Sequence, residues 1–448
     1  MNVWFGNNLS QRQDPSHPLN SLPVLRYLYT LLLYLAVPGV LIRLYWRGRR
    51  VPAYRRRWAE RFGWFPALPA AGCIWVHAVS VGEVRAAIPL VRALQARYPA
   101  IPLLVTTTTP TGFWQVQESF GNTVWHRYTP YDLPPVVARF LSRTRPRLAI
   151  IMETELWPNL LRYCARAGIP VLVANARLSE KSARGYGRVA GLMVHMLADI
   201  ALIAAQSETD AARFRALGAP RVQVTGNIKY DLVLAEDLAA QGGELRRLLG
   251  EHRPVLIAAS THAGEDEWVL DAFAQLQLDH PDLLLVLVPR HPERFPVVAE
   301  LCRQRGLAVV QRSEQRPCDP TTQVFLGDSM GELLLFYAAA DVAFVGGSLV
   351  PVGGHNVLEP ALLGLPVVFG PHMFNFAEAS RQLLEAQAAW QVADTGELTA
   401  IVSRLLTDAA LRQAAGQRGR TRVAAQRGAL EKLLGMIEDL LLGKRLPP

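Results

Sequence analysis

The amino-acid sequence predicts an α/β protein with two doubly wound parallel sheets, and three observations carry that prediction. Short apolar runs recur at 74–77, 103–106, 148–152, 171–174, 201–204 and 222–224, with helical stretches between several of them. The pattern restarts after 253, with runs at 256–258, 284–288, 308–310, 324–326, 342–345 and 366–369. Strands alternating with helices imply crossover connections and a parallel sheet buried on both faces. The third observation is size: 448 residues, half of them apolar, exceed one ordinary domain and suffice for two cores.

In chain order, residues 1–22 are rich in Asn, Gln, Pro and Ser and are expected to form a disordered polar tail. Residues 24–46 are an apolar run whose only charges are Arg26 and Arg43. That run reaches the roughly 20 residues a membrane-spanning helix needs. A membrane-anchor helix is therefore assigned to 23–46, either spanning the bilayer or lying in its plane with Pro38-Gly39 as a kink. Tyr27, Tyr29, Tyr45 and Trp46 suit interfacial anchoring. Residues 43–61 then hold Arg43, Arg47, Arg49, Arg50, Arg55, Arg56, Arg57 and Arg61 against Glu60, so seven of the nine net positive charges sit in this window. An excess of arginine on the C-terminal side of the run puts the bulk of the protein in the cytoplasm. Such a collar fits an anionic membrane surface. Nucleic acid is not expected, because no base-reading fold or stacking platform accompanies it.

The rest of the chain divides into a Rossmann-like domain at 47–230, a linker at 231–253, a second Rossmann-like domain at 254–420 and a C-terminal helix within 421–448. Ligands of doubly wound sheets bind outside the carboxyl ends of the strands, so the expected active site is a central cleft between the two domains. Cys73, Cys164, Cys302 and Cys318 are scattered without a CxxC pair. A disulfide framework or zinc site is not expected, and a reducing compartment fits.

The stretch 324–370 reads strand, loop, helix, strand, Gly-rich loop, helix, strand. Gly346, Gly347, Gly353 and Gly354 are expected to bring backbone N–H groups to a ligand before His355-Asn356 opens a helix, an arrangement that favours anions. Glu359, one turn in, is placed to accept hydrogen bonds from ribose hydroxyls. Together these suggest a nucleotide-sugar phosphate pocket. In the first half, Glu83 follows Gly82 at a strand-to-helix turn. A carboxylate there is expected to stay ionised at neutral pH and to act as a general base, the alternative being a cap of its own helix. Glu153 and Glu155 follow the run 148–152 on the same rim, and Arg290-His291 follow 284–288, where a guanidinium suits a phosphate or base. Arg177, Lys181, Arg184 and Arg188 share one loop, as contacts to an anionic acceptor or as solvated surface.

Two motifs mislead. Gly185-Tyr-Gly187-Arg-Val-Ala190 fits a dinucleotide fingerprint only in spelling, since the polar SEKSAR precedes it in place of a strand. His77, Ser80 and Glu83 have the residue types of a hydrolase triad but lack the nucleophile-elbow glycine before Ser80. No P-loop occurs either.

The wording GDSMGEL at 327–333 and GGSLVPVGGHNVLEP at 346–360 resembles the 3-deoxy-D-manno-octulosonic acid (Kdo) transferase family, whose fold is GT-B. WVHAVSVGEV (75–84), TTTTPTG (106–112), ETELWPNL (153–160), NARLSEKS (175–182), TGNIKYD (225–231), STHAGEDE (260–267) and PRHPERF (289–295) are similar to that family's segments and follow its order. The resemblance implies an inverting transferase that moves Kdo from CMP-Kdo to a lipid A precursor (lipid IVA) in lipopolysaccharide core biosynthesis, at the cytoplasmic side of the cell inner membrane. It implies Glu83 as the base, with nucleotide contacts at Pro289, Arg290, Met330, Gly331, Glu332, Asn356, Val357, Leu358 and Glu359. It also implies a C-terminal helix that packs back on the first domain. No Asp-x-Asp or His/Asp cluster marks a metal site, so no cofactor and a metal-independent reaction are expected. A GT-B enzyme using a UDP-sugar and a non-catalytic, membrane-tethered nucleotide-sugar-binding protein remain open at this level.

Overall fold

A computed structural model describes residues 22–232 and 234–444, so the polar stretch lies outside the described residues apart from Leu22, which opens the first helix. The described chain forms two compact units. The first runs to Lys229 and takes in the residues from Gly428 on; the second is Tyr230–Arg427.

The first unit is built on β1 (Ile74–His77), β2 (Leu103–Thr107), β3 (Trp125–Tyr128), β4 (Leu148–Met152), β5 (Val171–Ala176), β6 (Leu202–Ala205) and β7 (Val222–Val224). All pair in parallel, in the order β3-β2-β1-β4-β5-β6-β7. β1, β4 and β5 are fully buried and largely apolar, with His77 ending β1 and Asn175 interrupting β5. β3 was not evident in sequence. Its WHRY alternates partly buried and buried positions at the sheet edge, so no apolar run marks it. Helix Ala429–Leu441 buries Ala429, Leu433, Leu434 and Ile437 among Val84, Ala87 and Val91 of helix Val81–Arg97.

The second unit has β8 (Val255–Thr261), β9 (Leu284–Pro289), β10 (Val309–Gln311), β11 (Val324–Leu326), β12 (Val342–Val345), β13 (Val367–Phe369) and β14 (Ala389–Gln391). They too are all parallel, in the order β10-β11-β9-β8-β12-β13-β14. In the first sheet the chain works outward from β1 to the edge at β3 and then crosses to the other side of β1. In the second it runs from β8 through β9 to the edge at β10, fills β11 in between, and then crosses to the other side of β8. That reversal creates a switch point beside β1 and β4 in one sheet, and beside β8 and β12 in the other.

Two expected boundaries need correction. Residues 231–253 are not a bare linker: helix Leu238–Leu249 packs Leu245 and Leu249 with Phe336 and Tyr337. Gly242 and Gly243 hide that helix in sequence, yet a Cβ on Gly242 would lie 2.6 Å from the Ala338 Cβ, so close packing requires the glycine. The segment 421–448 is not one helix either. Its first residues belong to helix Ala409–Ala424 of the second unit, and Gly428, at φ +95°, separates that helix from Ala429–Leu441.

The first helix, Leu22–Arg50, extends past the expected end at 46, with Pro38 inside it. It is the one helix among the described residues long and apolar enough to cross a membrane, over Leu25–Arg49. Tyr29 donates to Asp132 Oδ2 at 2.9 Å, and Thr30 meets Asn159. Leu28, Leu31, Leu32, Leu35, Ile42 and Trp46 are exposed, Leu35 to 69%. The collar is thinner than its sequence suggests. Arg57 pairs with Glu60 and Arg61 is buried against the Thr108 carbonyl, while Arg43, Arg47, Arg49, Arg55 and Arg56 stay exposed.

Candidate active site

Each unit carries its own constellation at its switch point. In the first, Ser80 caps helix Val81–Arg97 by accepting the Glu83 N–H, and Glu83 returns the favour by accepting the Val79 N–H at 2.9 Å. Ser80 Oγ also donates to Glu83 Oε1 at 3.0 Å. This reciprocal cap holds the carboxylate at the carboxyl end of β1, only 7% exposed. Helix polarity and two hydrogen bonds to the carboxylate favour the charged form, but burial prevails. With Glu155 and Glu153 adding negative charge nearby, it pushes the Glu83 carboxyl up to about 8. The expectation that Glu83 is ionised at neutral pH is thereby reversed for the unliganded protein. The sequence shows the cap but not the desolvation.

Glu153 and Glu155 follow β4. Glu153 takes a left-handed φ of +56° and lies 3.5 Å from Lys229, and Glu155 accepts from Trp157 Nε1 at 2.9 Å. His77, the last residue of β1, bonds Thr106 Oγ1 at 2.9 Å and is held neutral by complete burial, its Nε2 without a partner. It makes no triad, because Ser80 bonds Glu83 and His77 turns to Thr106. Lys229 lay unassigned in the motif 225–231; only the fold brings it to Glu153. Arg177, Lys181, Arg184 and Arg188 are all exposed.

In the second unit the expected residues follow neighbouring strands: Arg290 after β9, Met330 to Glu332 after β11, and Asn356 to Glu359 after β12. The Arg290 guanidinium has no partner among the described residues, and its N–H donates to the Thr261 carbonyl. Met330 is exposed and Gly331 takes φ +86°. The Glu332 carboxylate is already held by two hydrogen bonds from Arg312, which keep it below the usual carboxylate range. Val357 and Leu358 side chains belong to the core with Phe369, leaving only their backbone for a ligand. Asn356 caps the Leu358 N–H and donates to Glu359 Oε1 at 2.9 Å; burial pushes the Glu359 carboxyl up and that bond pulls it back.

The glycine loop corrects a further expectation. Gly353 and Gly354 N–H both donate to the Gly347 carbonyl oxygen. The fully buried Glu265 accepts from Gly347, Ser348 and Leu349 N–H at 2.6, 2.9 and 2.8 Å, and from His262 N–H at 3.0 Å. The nest of N–H groups is thus filled by the protein's own carboxylate, and the helix after it, Leu358–Leu362, is a single short turn. Side chains crowd the same edge instead. His262, following β8, meets His355 Nε2-to-Nε2 at 2.8 Å, with the His291 ring edge-on at 5.3 Å.

Two doubly wound parallel sheets with these constellations define the GT-B class of glycosyltransferases. The spinosyn rhamnosyltransferase SpnG shares the fold, with a TM-score of 0.51 at 15% identity over 82% of this chain and 100% of that one. Residues 56–232 match the family model described as 3-deoxy-D-manno-octulosonic-acid transferase (kdotransferase). The 3-deoxy-D-manno-octulosonic acid transferase of Haemophilus influenzae is 45% identical over 421 residues, 93% of this chain and 99% of that protein. Its Bordetella pertussis counterpart is 38% identical over 429 residues, again 93% and 99%. The chain belongs to the Kdo transferase family.

Proposed function

We propose that the protein transfers Kdo from CMP-Kdo to the glucosamine disaccharide of a lipid A precursor, with inversion at the anomeric carbon and Glu83 as general base. The observation that carries this reading is the buried Glu83 carboxyl at the β1 switch point. A group held near about 8 accepts a proton from an attacking hydroxyl more readily than an ordinary carboxylate. Because the hydroxyl is a very weak acid, its proton moves to Glu83 as its oxygen bonds to the anomeric carbon. Arg290 is the cation proposed to meet the nucleotide, and Met330 to Glu332 and Asn356 to Glu359 contribute backbone contacts to it. No group of three or more metal-ligating side chains occurs among the described residues. Fixed protein charge is proposed to stabilise the leaving phosphate. The assay is CMP-Kdo plus a tetra-acylated lipid A precursor, read by the mass of the lipid. A gain of one or more Kdo masses is expected, and full activity in excess EDTA. A strict divalent-cation requirement would contradict the mechanism.

The helix Leu22–Arg50 is proposed to lie in the plane of the cytoplasmic face of the inner membrane. Tyr29 and Thr30, near its start, bond Asp132 and Asn159 of the globular unit, whereas a span would separate that end of the helix from the cytoplasm by the bilayer's thickness. The opposite flank presents Leu28, Leu31, Leu35 and Trp46, beside exposed arginines suited to anionic lipid. A spin label on Leu35→Cys is expected about 5–10 Å into an anionic vesicle. A label at the bilayer midplane would establish a span instead.

A further inference from the structure

His262 and His355 stand at the second sheet's switch point, one after β8 and the other after β12. Their planes differ by 4° and their centroids lie 5.1 Å apart, while the two Nε2 atoms are 2.8 Å apart. The centroid distance matches the nitrogen separation plus the two ring radii. The rings are therefore joined end to end in one plane, as a straight N–H···N bond requires, and are not stacked face to face.

Such a bond holds one proton between two rings. In the neutral pair with His262 as donor, the His262 ring has a bare Nδ1 and the His355 ring carries its proton on Nδ1. A further proton fills the bare Nδ1 without breaking the link, so the pair gains a full charge with no change of geometry. Glu265 makes the geometry stiff. Its carboxylate binds His262 N–H from one loop and Gly347, Ser348 and Leu349 N–H from the other, locking together the two segments that carry the histidines. Gly347 gives the pair its room: a Cβ there would lie 3.0 Å from the His355 ring. Because Glu265 occupies the backbone nest, an anion at this edge has to be met by side chains.

We propose that His262 and His355 act as one proton-sharing unit that charges when the donor's phosphate binds and holds that charge against the departing phosphate. This rests on the CMP-Kdo reading above. The groups around His262 are Glu265 on its own loop and His291, Arg290 and Arg294 beyond β9. Burial and those three cationic or ionisable neighbours favour the neutral form of His262, and Glu265 opposes them. Arg294 is offset by buried Asp266, so Arg290 is the neighbouring arginine without an ion pair among the described residues. In transfer, the acceptor oxygen bonds to the anomeric carbon and its proton passes to Glu83. The carbon–oxygen bond to the phosphate breaks, and its electron pair leaves on the phosphate oxygen. The charged pair meets that new negative charge through N–H donation and keeps its proton.

Calorimetric titration of the full-length protein with CMP at pH 8, in two buffers of different ionisation enthalpy, counts the protons. Free CMP is already dianionic there, its second phosphate pKa being about 6. The wild type is expected to take up close to one proton with CMP and none with cytidine. His262→Gln and His355→Gln should abolish that uptake and weaken CMP about tenfold, the worth of one charge-assisted hydrogen bond, with cytidine affinity unchanged. CMP binding without proton uptake in the wild type overturns the pair and leaves the donor reading standing. Failure of the wild type to bind CMP overturns both. Glu83 also titrates near pH 8, so Glu83→Gln is titrated alongside: uptake kept in that variant supports the pair, and uptake lost there overturns it.

Discussion

Glu83→Gln is expected to lower the transfer rate roughly 10²–10⁴-fold, the usual worth of a general base, while CMP affinity stays at the wild-type value. The amide is nearly isosteric: its oxygen can still accept from Val79 N–H, and its NH₂ can donate to Ser80 Oγ. Catalysis is lost while the cap is kept, which separates a base from a helix-capping acid. In the wild type, kcat/KM should rise tenfold per pH unit and level off near pH 8, following deprotonation of the buried carboxyl.

The same substitution should stabilise the first unit. An unfolded chain releases the Glu83 proton near pH 4.5, whereas the folded unit keeps it to about 8. Between those values the native state binds more protons, so stability falls as pH rises, and above 8 the full penalty remains. Removing it gains on the order of 5 kcal/mol at high pH and nothing below 4.5. Melting curves at pH 4 and pH 9 test this. An equal shift at both would mean that Glu83 is not a desolvated acid.

Glu265→Ala is expected to be the most destabilising single change in the second unit. It orphans four backbone N–H groups, three of them in one loop. At about 1–3 kcal/mol for each buried unsatisfied donor, the total exceeds about 4 kcal/mol and should abolish nucleotide binding by releasing both histidine loops. Glu265→Gln should fall between, since an amide keeps one acceptor oxygen but turns its NH₂ toward donors. Denaturant unfolding followed by CMP binding measures both. A loss under about 1 kcal/mol for the alanine variant would show that water replaces the carboxylate without cost.

Most interior strands were legible because strands buried on both faces must be largely apolar, as at Leu148–Met152 and Val342–Val345. The edge strands β3 and β14 were not, since a half-exposed WHRY or a three-residue AWQ has no such run. Helix Leu238–Leu249 was masked by two glycines, of which Gly242 is required by its packing against Ala338. Glu83 was legible as the acid of a strand-to-helix turn, and the glycines at 346–354 as a tight loop, because each is a local backbone pattern.

The sequence alone determined the family, the two-sheet α/β architecture with most of its interior strands, and the position of the candidate base. Only the tertiary structure decided that Glu83 is held protonated at neutral pH, that Glu265 fills the nest meant for a phosphate, and that His262 and His355 meet end to end. These facts depend on charge, burial and distance between residues far apart in the chain. Local composition specifies backbone conformation, but a carboxyl's affinity for its proton is set by whatever the fold packs around it.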